Sequence, residues 1–230
     1  MAKDIANNAI APAPNTQIDF YDWAARRRSK VALMAARSHE LIFIGDSITH
    51  MFELPERGGS VWERYFGSYH PANLGYGWDC TQNVLWRLQN GEFFNQTPRM
   101  VVLNIGTNNL TGNSGGRANS SPEIVEAIQA ICSLIHTQSP HTVILVMSVF
   151  PRGLTKDPIF GQARELAQFI KSTFENRPNI LHLDIGRQFL DENGEILPGL
   201  MDDLVHPTAK GYEIWARNLH PIVERQFETS

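Results

Sequence analysis

Short, nearly unbroken apolar runs punctuate the chain and alternate with longer stretches in which apolar residues recur every three or four positions. The runs are Leu41–Ile44, Ala72–Leu74, Met100–Asn104, Thr142–Val149 and Ile180–Asp184. Four of them lack an alternating polar face, as expected of strands buried on both sides in a parallel sheet. The stretches between read as helices. Tyr21 to Ser38 carries Trp23, Val31 and Met34 at helical spacing, and Trp62, Tyr65, Phe66 and Tyr69 fit a helix packed on the sheet. Val84, Leu85 and Leu88 share one face of Cys80–Asn90, with Asp79 as its N-cap and Gly91 as its stop. Ser121-Pro122-Glu123 caps a helix bearing Ile124, Ile128, Ile131 and Ile135, which Pro140 ends. Ala163, Leu166, Ile170 and Phe174 mark another, and Pro207 opens a last one with Tyr212, Trp215, Leu219 and Val223 facing inward. This alternation predicts an α/β fold, a three-layer α/β/α sandwich around a central, mostly five-stranded parallel sheet. No repeat or linker divides residues 18–230, which are expected to form one domain. Met1 to Gln17 is polar, rich in Ala, Asn and Pro and without an apolar h-region, and is expected to be a flexible leader.

Composition removes several function classes. A net charge of −4 on 230 residues argues against nucleic acid as a partner, which needs a concentrated positive surface. The one basic run, Arg26-Arg27-Arg28-Lys30, reads as a solvated helix face. No window approaches 18 consecutive apolar residues, so no membrane span is expected. Cys80 and Cys132 are too few for a disulfide framework and read as free, mildly buried thiols. The compartment stays open between cytoplasmic and exported. No His/Cys/Asp cluster has metal-ligand spacing, and Thr111–Ser121 lacks the Gly-Lys-Ser/Thr ending of a phosphate loop. Neither metal nor cofactor is expected, and Thr111–Ser121 reads as a mobile loop beside the site.

Four polar segments fall at or just beyond predicted strand ends, where open α/β sheets gather their chemistry. They are Gly45-Asp46-Ser47, Asn73-Leu74-Gly75-Tyr76-Gly77, Gly106-Thr107-Asn108-Asn109 and, before the final helix, Asp203-Leu204-Val205-His206. A serine hydroxyl is a poor nucleophile unless a base lies within hydrogen-bond reach. Near the C-terminus His206 supplies that base, and Asp203 supplies a carboxylate to orient it. Asp202 has the wrong spacing for the same task. His50, close to Ser47 in sequence, reads as a helix-surface residue.

In this order the four blocks resemble the SGNH, or GDSL, hydrolase superfamily over about residues 40 to 226. Asn83–Glu92, Gly106–Asn109 and Phe150-Pro151-Arg152-Gly153 are similar to the catalytic-subunit branch of intracellular platelet-activating-factor acetylhydrolases. The resemblance implies a flavodoxin-like sandwich and a cofactor-independent serine esterase working through an acyl-enzyme. It gives Ser47 the role of nucleophile, His206 that of base and Asp203 that of its orienting partner. The Ser47 N–H, the Gly75 N–H and the Asn108 amide would form the oxyanion hole. Asn109 stands where the superfamily more often has aspartate, and is expected to be structural. Trp78 stands where the branch usually carries a small residue. It is expected to wall an acyl pocket of acetyl size, with Tyr76 and Asp46 assigned to the same pocket and Asp46 chiefly ordering the serine loop. The expected substrate is a small-molecule or oligosaccharide acyl ester, an acetylated carbohydrate ahead of a platelet-activating-factor-like phospholipid. A non-catalytic scaffold is the alternative from another class, and the resemblance suggests a homodimer.

Overall fold

The apolar runs become strands in the computed structural model, which describes residues 6–19, 21–113 and 115–228. In chain order the main elements are α1 (Trp23–Ala36), β1 (Leu41–Gly45), α2 (Ser47–His50), α3 (Gly59–Phe66), β2 (Ala72–Gly75) and α4 (Thr81–Arg87). There follow β3 (Met100–Asn104), α5 (Ser121–Gln138), β4 (Val143–Met147), α6 (Pro158–Phe174), β5 (Ile180–Leu183) and α7 (Ala209–Glu228). All neighbouring strands pair in parallel, in the order β2-β1-β3-β4-β5. The expected five-stranded α/β sandwich is the fold that forms.

Successive side chains of a strand point to opposite faces, which divides the core in two. Ile42, Ile44, Leu103 and Val146 pack with α4, α5 and α6 on one face. Phe43, Val102, Leu145 and Met147 pack with α3 and α7 on the other. There the Phe43 ring sits 4.7 Å from Trp62 and 5.2 Å from Phe66, so these aromatics are core, as their spacing suggested. No helix of the described residues is long and apolar enough to cross a membrane.

Several local expectations are corrected. The leader is not loose over its described part: Ala9 is fully buried, and Asn15 is buried against the sheet end. Thr81 Oγ1 donates to Ala9 O at 3.0 Å and Asn83 Nδ2 to Ala13 O at 3.0 Å. Met1 to Ile5 lie outside the described residues. Nor is the basic run a solvated face throughout. Arg26 donates to Gly75 O at 2.8 Å, and Arg26 and Lys30 both pair with Glu53, at 2.8 and 3.0 Å. Asp79 does not cap α4. Cys80 takes the cap position, its N–H bonded to Asn83 Oδ1 at 2.8 Å, while Asp79 turns into the core. The cap of α5 is Ser120, one residue before the expected Ser121, in a reciprocal box with Glu123. Cys80 and Cys132 are both free and buried.

Candidate active site

Strand register fixes where the chemistry starts. Gly45 pairs with Gly75 on one side and Asn104 on the other, so β2, β1 and β3 end level with one another. This is where the strand order reverses, and a crevice opens there outside the carboxyl ends of the strands. A Cβ on Gly45 would lie 2.4 Å from Asn104 O, so only glycine lets the strands close up at this point.

The chain leaves β1 through Asp46, whose Oδ1 accepts the Ile48 N–H at 2.9 Å and opens the short α2. Ser47 is the first residue of that turn, 9% exposed. Asp46 itself is fully buried and does not face the crevice, which corrects its assignment to the substrate pocket. Among the described residues its Oδ2 has no hydrogen-bond partner, and burial pushes its carboxyl up to about 7 against the pull of the Ile48 N–H. Ordering the serine loop is what its geometry serves.

The loop before α7 brings the other two residues in. Asp203 Oδ1 accepts the N–H groups of Val205 and His206 at 3.0 and 2.7 Å, bending the loop back on itself. Leu204 takes a left-handed φ of 61°, and its carbonyl accepts the Gly153 N–H at 2.9 Å. Asp203 Oδ2 lies 2.6 Å from His206 Nδ1, and His206 Nε2 lies 2.8 Å from Ser47 Oγ. A carboxylate only accepts, so Nδ1 carries the proton and Nε2 is left to accept from the serine hydroxyl. Partial burial raises the Asp203 carboxyl, but hydrogen bonds from the His206 ring and the loop N–H groups outweigh it, and the net direction is down. Asp203 is therefore a stable anion at neutral pH. Chemically, the arrangement can take a proton from Ser47 as its oxygen attacks and return it to a leaving group.

A cavity of about 290 Å³ opens over Ser47 and His206, with Asp19, Arg57, Trp78, Asn108 and Arg152 on its walls. Asn108 is reached from β3 through Gly106, whose φ of 122° is left to glycine. One proton of its amide is held by Asp79 O at 3.1 Å, which orients the side chain. Asn109 bonds Thr81, Gln82 and Asn119 and faces away from the cavity. Arg152, on the loop after β4, donates to Thr107 O at 2.9 Å.

The turn after β2 departs from expectation. The Gly75 N–H donates to Asn73 Oδ1 at 2.9 Å, so Gly75 is not a free oxyanion donor, which corrects that assignment. Beyond it, Asp79 N–H donates to Tyr76 O at 3.2 Å, closing a four-residue turn. Trp78 occupies its third position with φ 64°. This is type II geometry, which ordinarily demands glycine or asparagine there. Tyr76 is not a pocket wall either: it is fully buried, its hydroxyl donating to Glu92 and its ring 4.0 Å from the Arg87 guanidinium. Arg87 also bonds Asp79 at 2.7 Å and pairs with Glu92, and all three charged side chains are fully buried. Burial lifts the Asp79 carboxyl to about 6, with Arg87, Asn15 and Trp23 holding it down, so it stays ionised at neutral pH.

His50 is corrected from surface to core. It is 5% exposed, edge-on to Tyr21 at 4.8 Å, and burial beside Arg26 and Lys30 lowers its pKa to about 3. The described part of Thr111–Ser121 is tied down: Asn113 Nδ2 donates to Trp78 O at 3.1 Å and Asn119 N–H to Asn109 O at 2.7 Å. Asp19, Arg57 and Arg152 are cavity residues that pattern reading missed. Only Arg152 carried a signal, from its place just past an apolar strand in the Phe150-Pro151-Arg152-Gly153 block of the resemblance. Among the described residues no group of three or more His, Cys, Asp or Glu side chains could hold a metal ion.

The model of the GDSL-like lipase/acylhydrolase family matches residues 43–214, which include Ser47, Trp78, Asn108, Asp203 and His206. The platelet-activating factor acetylhydrolase IB subunit alpha2 of Rattus norvegicus is 30% identical over 229 residues, covering 99% of this chain and 95% of that protein. Among solved structures, a GDSL-like lipase from Bacteroides thetaiotaomicron superposes with a TM-score of 0.71 at 19% identity, covering 87% of this chain and 98% of the other. An acetyl xylan esterase shares the fold with a TM-score of 0.67 at 18% identity, over 80% of this chain and 98% of its own. The chain belongs to the GDSL-like lipase/acylhydrolase family and is a carboxylic ester hydrolase.

Proposed function

We propose that this hydrolase removes a short acyl group, acetyl first of all, from an acetylated carbohydrate by way of a serine acyl-enzyme. The observation that carries the reading is the unbroken run from Asp203 to His206 to Ser47, at 2.6 and 2.8 Å. Ser47 Oγ attacks the ester carbonyl while His206 Nε2 takes its proton. The tetrahedral intermediate collapses, the carbon–oxygen bond to the alcohol breaks, and His206 returns the proton to the departing alkoxide. Water, deprotonated by His206, then attacks the acyl-enzyme and releases the carboxylic acid with Ser47 restored. Asp203 keeps the imidazole in its working tautomer and stabilises the imidazolium between these steps.

Charge on the carbonyl oxygen needs donors aimed at it, each worth roughly 10²–10³ in turnover. The Ser47 N–H opens α2 and has no partner within the helix, and the second amide proton of Asn108 is available on the cavity wall. For the third donor we assign the Trp78 N–H in place of Gly75. Gly77 O is held on the far side by Asn15 and Tyr21, and a planar trans peptide directs its N–H the opposite way.

The Trp78 indole narrows the cavity and supports a small acyl group. The Asp19, Arg57 and Arg152 side chains offer hydrogen bonds to a hydroxyl-rich alcohol, and the fold shared with an acetyl xylan esterase agrees with this. The second reading, an acetyl ester of a phospholipid, draws on the acetylhydrolase relatives. Acetylated xylan oligomers and a platelet-activating-factor-like lipid, assayed side by side, separate the two. Ser47→Ala should cut acetyl-ester turnover to below about a thousandth of the parent. Turnover within a few-fold of the parent would end the mechanism. A folded parent that refuses a fluorophosphonate label would favour a scaffold with an idle site.

A further inference from the structure

We infer that Asn15 and Tyr21, on the segment leading into α1, are positioning residues that hold the Gly77–Trp78 peptide in its oxyanion-binding orientation. The inference rests on the esterase reading above. It starts from a conformational contradiction. A tryptophan at the third position of a turn favours type I, with a negative φ, whereas Trp78 has φ 64°. Type I and type II turns differ by a flip of the central peptide, here the one joining Gly77 to Trp78. In the flipped form the N–H assigned to the oxyanion would point away from Ser47, toward the leading segment. A residue held in a sparsely populated conformation persists only where its surroundings over-determine it.

Asn113 and Asn108 hold the following carbonyls, Trp78 O and Asp79 O, but the central peptide itself is held by two side chains. Asn15 Nδ2 donates to Gly77 O at 3.3 Å and to Asp79 Oδ1 at 3.0 Å, bridging the middle and the end of the turn. The Tyr21 hydroxyl donates to the same Gly77 O at 3.1 Å. A flip would swing this carbonyl away from both donors and present an N–H to them instead. Asn15 is itself fixed, its Oδ1 accepting the Gln17 N–H at 2.8 Å, and it is only 8% exposed. The segment lies so close that a Cβ on Gly77 would sit 2.5 Å from Asp19 Oδ2 and 2.9 Å from Tyr21 Cε1. Glycine at 77 thus serves the clamp, and the left-handed residue is its neighbour. Asn15 and Tyr21 thus act through the turn and do not touch substrate themselves.

The test uses the full chain with Asn15→Ala and Tyr21→Phe, the latter removing one oxygen atom. kcat and KM are measured on an acetyl ester, normalised to sites titrated with a fluorophosphonate. Each variant should lower kcat by about tenfold with KM within twofold, since misplacing one oxyanion donor acts on the transition state. The decisive readout is non-additivity. With Trp78→Gly in the background type II is intrinsically favoured, and Asn15→Ala should then change kcat by less than twofold. Asn7→Ala loosens the same segment at Glu123 and Glu126, far from the turn, and should leave kcat at the parental value. A kcat within twofold of the parent for both Asn15→Ala and Tyr21→Phe would overturn the inference. So would an equal loss on both Trp78 and Gly backgrounds, or an equal loss in Asn7→Ala. A parent whose turnover does not depend on Ser47 would instead overturn the esterase reading, and the clamp with it.

Discussion

Replacing Arg87 by methionine isolates the charge cluster beneath the turn that carries Trp78. Methionine keeps an unbranched apolar stem in place of the arginine stem but leaves Asp79 and Glu92 without their cation. All three side chains are fully buried, so water cannot compensate. Breaking a buried pair by removing one partner costs about 3–5 kcal/mol. Arg87 serves two carboxylates and also donates to Leu74 O at 3.2 Å, which places the expected loss at the upper end. A domain of this kind is stable by about 5–15 kcal/mol, so the variant should fold but melt early. The pH dependence makes the test specific. Asp79 already has a raised pKa of about 6, with burial as the main cause and Arg87 as the largest opposing influence. Without Arg87 it rises further, so above pH 6 the folded variant holds a proton that the parent has released. The native state then binds more protons than the unfolded chain, and stability falls as pH rises, by about 1.4 kcal/mol per unit per carboxyl. Urea unfolding at pH 6 and pH 8 should therefore show the larger loss at pH 8. A loss below about 1 kcal/mol at pH 8, or the same loss at both pH values, would refute the reasoning.

Two further predictions concern Trp78 and His50. Trp78→Gly keeps the backbone N–H and removes the wall. Two extra methylenes at about 0.8 kcal/mol each should raise the butyrate-to-acetate ratio of kcat/KM about tenfold, and an unchanged ratio on p-nitrophenyl esters would show that the indole does not limit the acyl chain. Burial holds His50 neutral with a pKa of about 3, against the usual value near 6.5. Its contribution is fully present above pH 6.5 and is lost as pH falls toward 3, because the unfolded chain takes up the proton first. His50→Gln should flatten the fall in stability between pH 6.5 and 4.5 by about 1.4 kcal/mol per unit; equal slopes in both proteins would contradict this.

What was legible in the sequence was what local pattern encodes. Both-face burial writes itself as apolar runs, so β1, β3 and β4 could be read directly, and strand ends located Ser47 and Asn108. The Asp203–His206 spacing was legible because one turn makes both ends of the contact. The misreadings share a different physics. An Asn-rich, Pro-rich leader has the composition of a solvated tail, yet Asn7, Asn8 and Asn15 are each consumed by partners more than 60 residues away. Asp79 looks like a helix cap because asparagine and aspartate usually are. Arg87 lies only eight residues on, yet nothing in the pattern says that the two meet inside the core. Arg26, Lys30 and His50 read as surface residues because their side chains are polar, whereas the elements packed against them decide burial.

The oxyanion donor was misplaced for a related reason, and it shows how backbone chemistry hides from sequence. Gly75 was the natural choice because glycine permits close approach to a backbone N–H. But an N–H is useful only if nothing else takes it, and Asn73, two residues earlier, does. The N–H proposed in its place belongs to a tryptophan, a bulky residue type poorly suited to the left-handed φ found there. Such a choice makes sense if one position has two tasks. The backbone of Trp78 would serve every substrate alike, since all ester carbonyls develop the same negative charge. The indole would discriminate among them, since it lines the cavity that the acyl chain would enter. A glycine there would adopt the turn at no conformational cost and keep the first task, but it would give up the second. On the proposed function, the strain at Trp78 would be the conformational cost of selecting a short acyl group at the position that stabilises the transition state.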